Sequence, residues 1–348
     1  MKKRVLFINQ EMLPYIEESE IAKIARNLPQ GIQQKGKEIR TFMPRFGSIN
    51  ERRNQLHEVI RLSGMNLIID DNDHPLIIKV ASIQAARMQV YFIDNEEYFQ
   101  RKVGLRNKAG DFFEDNDERA IFYCRGVLET VKKLGWAPDI IHCHGWMNSF
   151  VPLYIKKVFN EDPIFENTKV VFSIYDTGFE GKLNSKIGPK AVLEGVDMED
   201  VAELKSPTDI DIYKYAIKWS DAVIKGSEKL NTELEDYIKE LNVPVVALSQ
   251  LSRAVDSRPN KRPILSDLRD SGAIEQDADV VAFLYRHSVY DKSDLESRGK
   301  AEVNVAKQRN GPTGAIEVAF IEHIATFQNL SKADTFQPPN FYDEEEDL

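Results

Sequence analysis

Short apolar runs alternate with helical stretches along the first two thirds of this chain, and the point where that alternation stops constrains the fold most. Residues 5–9 form a branched, apolar run, which predicts a buried strand. Residues 20–35 carry helical spacing and end at Gly36, a residue suited to the left-handed turn that closes a helix. Residues 39–43 predict a second strand, stopped by Pro44. A strand–helix–strand order of this kind builds a mostly parallel, doubly wound α/β sheet. Alternating strands follow at 76–82 and 88–93. Helices are expected at 115–134, 146–158, 210–219 and 228–241, with strands at 140–143, 170–174 and 222–225 between them.

After Leu241 the texture changes. Residues 243–248 predict one more buried strand, and 252–261 are arginine-rich and loop-like. Three further strands are expected at 280–285, 301–306 and 316–321, with little helix between the last two. The organisation is therefore an α/β domain at 1–241, a partial β-rich segment at 242–330 that should expose apolar edges, and a disordered acidic tail at 331–348. No Pro/Gly/Ser linker separates the first two, although linkers usually mark domain boundaries.

Charge and cysteine content narrow the function classes. A formal net charge of −10 argues against a dominant nucleic-acid-binding surface and leaves room for a local basic patch. Two cysteines, Cys124 and Cys143, imply no disulfide framework. The basic start Lys2-Lys3-Arg4 is followed by too short an apolar run for a signal peptide, and no segment reads as a membrane span. The cytoplasm is the default compartment.

In an α/β sheet, ligands bind beyond the carboxyl ends of the strands. The first such turn holds Glu17-Glu18-Ser19-Glu20, where a phosphate site would need glycines and a lysine. Carboxylates there suit the dipole of the following helix and would repel a diphosphate. A later turn reads Asp139-Ile140-Ile141-His142-Cys143-His144-Gly145-Trp146. His142 and His144 point to the same side of an extended chain. With Trp146 they line a strand-end cleft or serve a purely structural role. No third ligand for a metal is evident nearby, so no metal is expected.

Residues 1–241 resemble the N-terminal domain of bacterial glycogen/starch synthases, retaining glucosyltransferases of the GT-B fold. The matching residues are Glu11-x-x-Pro14, Leu28-Pro29, Gly36, Met43-Pro44-Arg45-Phe46-Gly47, Asp139-x-x-His142-x-His144-x-Trp146, Val151-Pro152-Leu153-Tyr154 and Ser220-Asp221-Ala222-Val223. The resemblance implies an α-glucan partner, ADP-glucose as donor, and substrate-binding roles for His142, His144, Trp146, Tyr175 and Asp176. Several positions depart from the family pattern. Its Lys-Thr-Gly-Gly-Leu donor loop aligns to Glu17-Glu18-Ser19-Glu20-Ile21, its aspartate after the second histidine is Gly145, the His or Gln after its tryptophan is Met147, and its His-Asn pair is Tyr175-Asp176. The second GT-B domain is not expected either. Glucosyl transfer by this chain alone is therefore not expected.

Residues from about 241 to 329 resemble the C-terminal part of the replicative DnaB-type helicase, with a partial RecA-like fold. The resemblance rests on Leu241-Asn242-Val243-Pro244-Val245, Ala247-Leu248-Ser249-Gln250-Leu251-Ser252-Arg253 and Lys261-Arg262-Pro263. It continues through Ser266-Asp267-Leu268-Arg269-Asp270-Ser271-Gly272, Ile274-Glu275-Gln276-Asp277-Ala278-Asp279 and Ala306-Lys307-Gln308-Arg309-Asn310-Gly311-Pro312-Thr313-Gly314. It implies that Gln250 senses a γ-phosphate, that Arg269, Asp270 and Gly272 face DNA, and that Lys307 and Arg309 reach into a neighbouring subunit's ATP site. ATP with Mg²⁺, single-stranded DNA and intact helicase subunits are the implied cofactor and partners. No Gly-x-x-x-x-Gly-Lys-Ser/Thr occurs in the 348 residues, so a phosphate-cradling P-loop is lacking. Three readings follow: a glycogen-synthase-like domain with a stranded helicase segment, a helicase-related protein that binds DNA or poisons the intact hexamer, and a gene-fusion artefact without selected function.

Overall fold

The computed structural model describes residues 2–102, 104–227, 229–241, 244–268, 272–291, 293–294, 296–322 and 326–330. The expected tail at 331–348 lies outside the described residues, as do Arg269 and Asp270. The chain divides into two compact units, Met1–Leu248 and Ser249–Leu348.

In the first unit the elements run β1 (Arg4–Asn9), α1 (Glu20–Gln34), β2 (Glu38–Pro44), β3 (His57–Glu58), β4 (Met65–Ile69), β5 (Asn72–Ile83), β6 (Met88–Asp94), α2 (Glu96–Phe99) and α3 (Asn116–Lys133). They continue with β7 (Ile140–His144), α4 (Val151–Lys157), β8 (Lys169–Ile174), α5 (Ile187–Ala191), α6 (Asp209–Trp219), β9 (Ala222–Lys225), α7 (Thr232–Glu240) and β10 (Val245–Ala247). Among the described residues they build one sheet in the order β10-β9-β8-β7-β1-β2-β6-β5-β3, with β4 paired to β5. From β10 to β6 every pairing is parallel, while β3, β4 and β6 each pair antiparallel to β5. Strand order reverses between β1 and β7, which makes the crevice beyond their carboxyl ends the topological switch point. The central parallel strands are covered on both faces, so their centres are unbroken apolar runs: Leu6, Ile8, Phe42, Phe92, Ile141 and Phe172 are all buried.

Three boundaries differ from the expected ones. The helix expected at 146–158 is a single 3₁₀ turn at Trp146–Asn148 followed by α4. Gly145 enters that turn at φ 96°, and Pro152 sits in the first turn of α4, where its missing N–H is harmless. The helix expected from 228 begins as α7 at Thr232, where the Asn231 side chain accepts the Glu233 N–H. The strand expected to be buried at 243–248 is the three-residue β10, and it is open: Val245, Val246 and Leu248 are 42, 56 and 67% exposed. Among the described residues β10 pairs only with β9, and an apolar run does not reveal whether anything covers it.

The second unit contains α8 (Ala254–Ser257), α9 (Gly272–Asp277), β11 (Val280–Tyr285), α10 (His287–Tyr290), β12 (Lys300–Gln308), β13 (Gly314–Ile321) and β14 (Thr326–Asn329). It is a β-rich unit built on an antiparallel sheet in the order β11-β12-β13-β14. β14 was not anticipated from the sequence. β11 alternates cleanly, with Val281, Phe283 and Tyr285 buried and Val280 and Leu284 exposed. On the open face Leu284 lies opposite Val303, and Val303 opposite Ile316, which is exposed as well. Apolar edges were the expectation; the apolar exposure found here runs across an open face of β11, β12 and β13. No helix among the described residues is long and apolar enough to cross a membrane.

Candidate functional site

The switch-point crevice gathers four of the residues singled out in the sequence. β7 carries His142 and His144 on one face, with ring centroids 4.1 Å apart. β8 and the residue after it supply the partners: His142 Nε2 lies 2.7 Å from Ser173 Oγ, and His144 Nδ1 lies 2.7 Å from Tyr175 Oη. From the opposite side the Phe7 ring of β1 packs 5.7 and 6.2 Å from the two imidazoles. Burial pushes His142 down to about 4. It pushes His144 well below the ordinary histidine value, with His142 adding to the effect. Both rings are neutral at neutral pH and act as hydrogen-bonding groups.

Trp146 is buried beneath Phe112 and Phe179, with centroids 6.0 and 4.8 Å away. Asn9 Oδ1, His144 Nε2, Trp146 Nε1 and Asn148 Oδ1 are buried without a protein hydrogen-bond partner. Buried polar atoms are rarely left unpaired, and these four lie at the ends of β1 and β7 and in the turn that follows β7. No group of three His, Cys, Asp or Glu side chains among the described residues could hold a metal ion.

Gly145 and Gln10 pack against each other beside these strand ends. Gln10 N donates to the His144 carbonyl at 3.0 Å, and Met147 N donates to Gln10 Oε1 at 3.3 Å. A Cβ on Gly145 would come within 2.8 Å of Gln10 Oε1, and the backbone there, at φ 96° and ψ 159°, is in a region left almost wholly to glycine. The departure from an acidic residue at this position thus has a steric basis in this chain.

The acidic loop lies beside these strand ends. Ser19 caps α1 by accepting the Ala22 N–H at 3.0 Å and gives its own hydroxyl to Glu11 at 2.6 Å. Glu18 pairs with Lys23 at 2.5 Å. Glu20 accepts the Ser227 hydroxyl from the turn after β9, 207 residues away along the chain. Ser227 in turn accepts the Asp176 N–H at 3.0 Å, so Asp176 stands at the exposed rim beside this bridge. Composition gave no signal for the Glu20–Ser227 contact, because only the fold brings its two ends together. The loop offers carboxylates where a diphosphate would need N–H groups or a lysine, so it does not fit the phosphates of ADP-glucose.

In the second unit Lys307 and Arg309 meet at the end of β12. Lys307 Nζ donates to the carbonyls of Glu275 and Gln276 at 2.6 and 3.0 Å. Arg309 donates to the Gln276 carbonyl at 2.9 Å and pairs with Asp279 at 3.1 Å. These carbonyls end α9, where four have no partner within a helix, so the two cations cap it. Gln250 is exposed, and among the described residues no hydrogen bond joins it to Lys307 or Arg309. Gly272 begins α9, and its expected companions Arg269 and Asp270 fall outside the described residues.

Comparisons with known proteins divide along the same line. Residues 4–241 match the family model described as the starch synthase catalytic domain, and residues 224–329 match the DnaB-like helicase C terminal domain. A glycogen synthase of Chlorobium luteolum is 37% identical over 195 residues, 56% of this chain and 40% of that protein. A glycogen synthase of Chlorobaculum tepidum is 34% identical over 239 residues, 67% of this chain and 47% of that protein. The chain thus spans less than half the length of these relatives. The catalytic domain of starch synthase IV from Arabidopsis thaliana, solved with ADP and acarbose, superposes with a TM-score of 0.56 at 18% identity. It covers 77% of this chain and 57% of that one.

Proposed function

The chain belongs to the family of the starch synthase catalytic domain, and from that premise we propose that residues 1–241 form a glucan-binding α/β domain that does not transfer glucose from ADP-glucose on its own. One contact carries the reading: at a position where the family's donor loop has glycine, the Glu20 carboxylate holds the Ser227 hydroxyl. A carboxylate there opposes the donor's diphosphate. The unpaired polar atoms around His144, Trp146 and Asn148 supply hydrogen-bonding capacity of the kind a sugar uses. The starch synthase IV domain of similar fold was solved with ADP and acarbose, an observation on that protein. His142, His144, Trp146, Tyr175 and Asp176 are the proposed binding residues, and the cytoplasm is the proposed compartment.

The test is incubation of the purified chain with radiolabelled ADP-glucose and glycogen, alongside retention on immobilised glycogen. The expected outcome is retention without incorporation. Incorporation above background overturns the claim of inactivity, and absence of retention overturns glucan binding.

A second reading draws on the helicase match. Residues 242–330 keep Gln250 and the Lys307/Arg309 pair that the family uses in trans on a neighbour's ATP, but in this chain both cations are engaged in cis on α9. With no P-loop in the 348 residues, the chain has no cradle for ATP and Mg²⁺ of its own. ATP hydrolysis is not expected, with or without single-stranded DNA. Salt-dependent single-strand binding, or inhibition of an intact helicase hexamer, would favour this reading over the first. The third reading, a fusion without selected function, is decided by sequencing fresh genomic DNA across the codons for residues 237–245.

A further inference from the structure

A cleft of about 360 Å³ opens at the other end of the first unit's sheet, at the amino ends of β2 and β6. Its walls include Arg40 of β2, Gln33 of α1, Gln84 and Arg87 from the turn between β5 and β6, and Gln89 of β6. Ligands of parallel sheets ordinarily use the opposite edge, where His144 and Tyr175 lie, so this cleft is independent of the glucan reading.

Arg40 is fixed in place. Its Nη1 donates to Tyr91 Oη at 2.6 Å, and its guanidinium lies 5.7 Å from the Tyr91 ring and 5.2 Å from that of Trp136. Yet its Nε is buried with no protein acceptor, a costly omission for a charged donor. Arg87 stands on the turn at φ 50°, an unusual conformation for a residue with a side chain, and its carbonyl is held by Gln33 Nε2 at 3.3 Å. Its side chain is exposed, and no ion pair engages Arg40 or Arg87 among the described residues. No carboxylate lines the cleft. Glu38, two residues before Arg40, is occupied by Arg4 and by the Trp136 indole N–H at 2.5 Å.

Two guanidiniums that line one cleft without an ion pair, on a chain of net charge −10, form an arrangement suited to an oxyanion, although Glu38, outside the lining, acts electrostatically on Arg40. The glutamine amides offer neutral donors and acceptors suited to hydroxyls. The volume is larger than a bare ion needs and falls at the lower end of the roughly 300–1,000 Å³ typical of small-molecule sites. We propose that this cleft binds a small hydroxylated phosphomonoester, with the phosphate taken by Arg40 and Arg87 and the hydroxyls by the glutamines.

Calorimetric titration of the full chain at low salt tests this, with glycerol 2-phosphate as probe, glycerol as neutral control and succinate as the carboxylate alternative. Saturable binding of glycerol 2-phosphate is expected, with none of glycerol. Arg87→Gln should weaken it about tenfold or more, and Arg40→Gln should abolish it. Because Arg40 also packs between two rings, the exposed Arg87→Gln variant is decisive, with circular dichroism to show that it remains folded. Absence of saturable binding, binding unchanged in Arg87→Gln, or binding of succinate in place of the phosphomonoester overturns the proposal.

Discussion

His142 and His144 are buried bases with neutral partners, Ser173 and Tyr175, and nothing near them rewards a positive charge. The consequence is a defined response to acid. The folded value of His142, about 4, lies below the ordinary 6.5, so between those values the unfolded chain binds a proton that the folded chain refuses. The stability this residue contributes is complete above about pH 6.5 and declines as pH falls toward 4. The loss amounts to about 3 kcal/mol over the whole window. Urea midpoints between pH 7.5 and 4.5 should therefore fall more steeply for the native chain than for His142→Gln, the difference isolating this group from titrating carboxylates. Parallel slopes would show that His142 does not carry the effect. The spacing His-x-His was enough to place both rings on one side of a strand. Their burial was not legible, because it depends on Phe7 and on the partners from β8 and the residue after it, none of which adjoin them in sequence.

At the scale of elements, the start of α1 decides what the crevice admits. Ser19, Glu18 and Glu20 serve the helix in the ordinary way, as cap and as negative charge at its positive end. The same residues leave the turn without glycine or lysine, and Glu20 closes on Ser227. Replacing Glu17 with Lys and Glu20 with Gly removes two negative charges, adds a positive one and frees the Ser227 hydroxyl. The double variant should bind ADP about tenfold or more tightly than the native chain at low ionic strength. The gain should shrink as salt rises, since Glu20 is exposed and its field is screened. Equal affinities in calorimetry would mean that the loop is not the obstacle. Most elements were legible because a parallel strand covered on both faces reads as a continuous apolar run, as in β1, β7 and β8. β14 was missed because Thr326-Phe327-Gln328-Asn329 is short and half polar, and its pairing with β13 is a tertiary fact. β10 is legible in the sequence but its exposure is not, since Val245 and Val246 look the same in sequence whether or not another element covers them.

At the scale of the molecule, the two family matches overlap on residues 224–241, and that overlap contains the whole of α7. The helix buries Leu234 and Ile238 in the core of the first unit, then leads into a strand whose sequence is helicase-like. That strand nevertheless joins the first sheet, in parallel register with Val223, Ile224 and Lys225. A strand–helix–strand crossover has one favoured hand and a common geometry. A junction inside such a unit therefore leaves the preceding sheet intact whichever family supplies the second strand. The main hydrophobic core, from Leu6 to Ile238, ends before Leu241, the last residue of the synthase match. A chain ended at Leu248 keeps that core, β10 and every proposed glucan-binding residue. It should therefore remain folded and be retained on immobilised glycogen to within about twofold of the full chain, a difference of roughly 0.4 kcal/mol. Loss of retention in a truncated protein with native circular dichroism would place the glucan contacts after Leu248 and move the function out of the synthase-like unit.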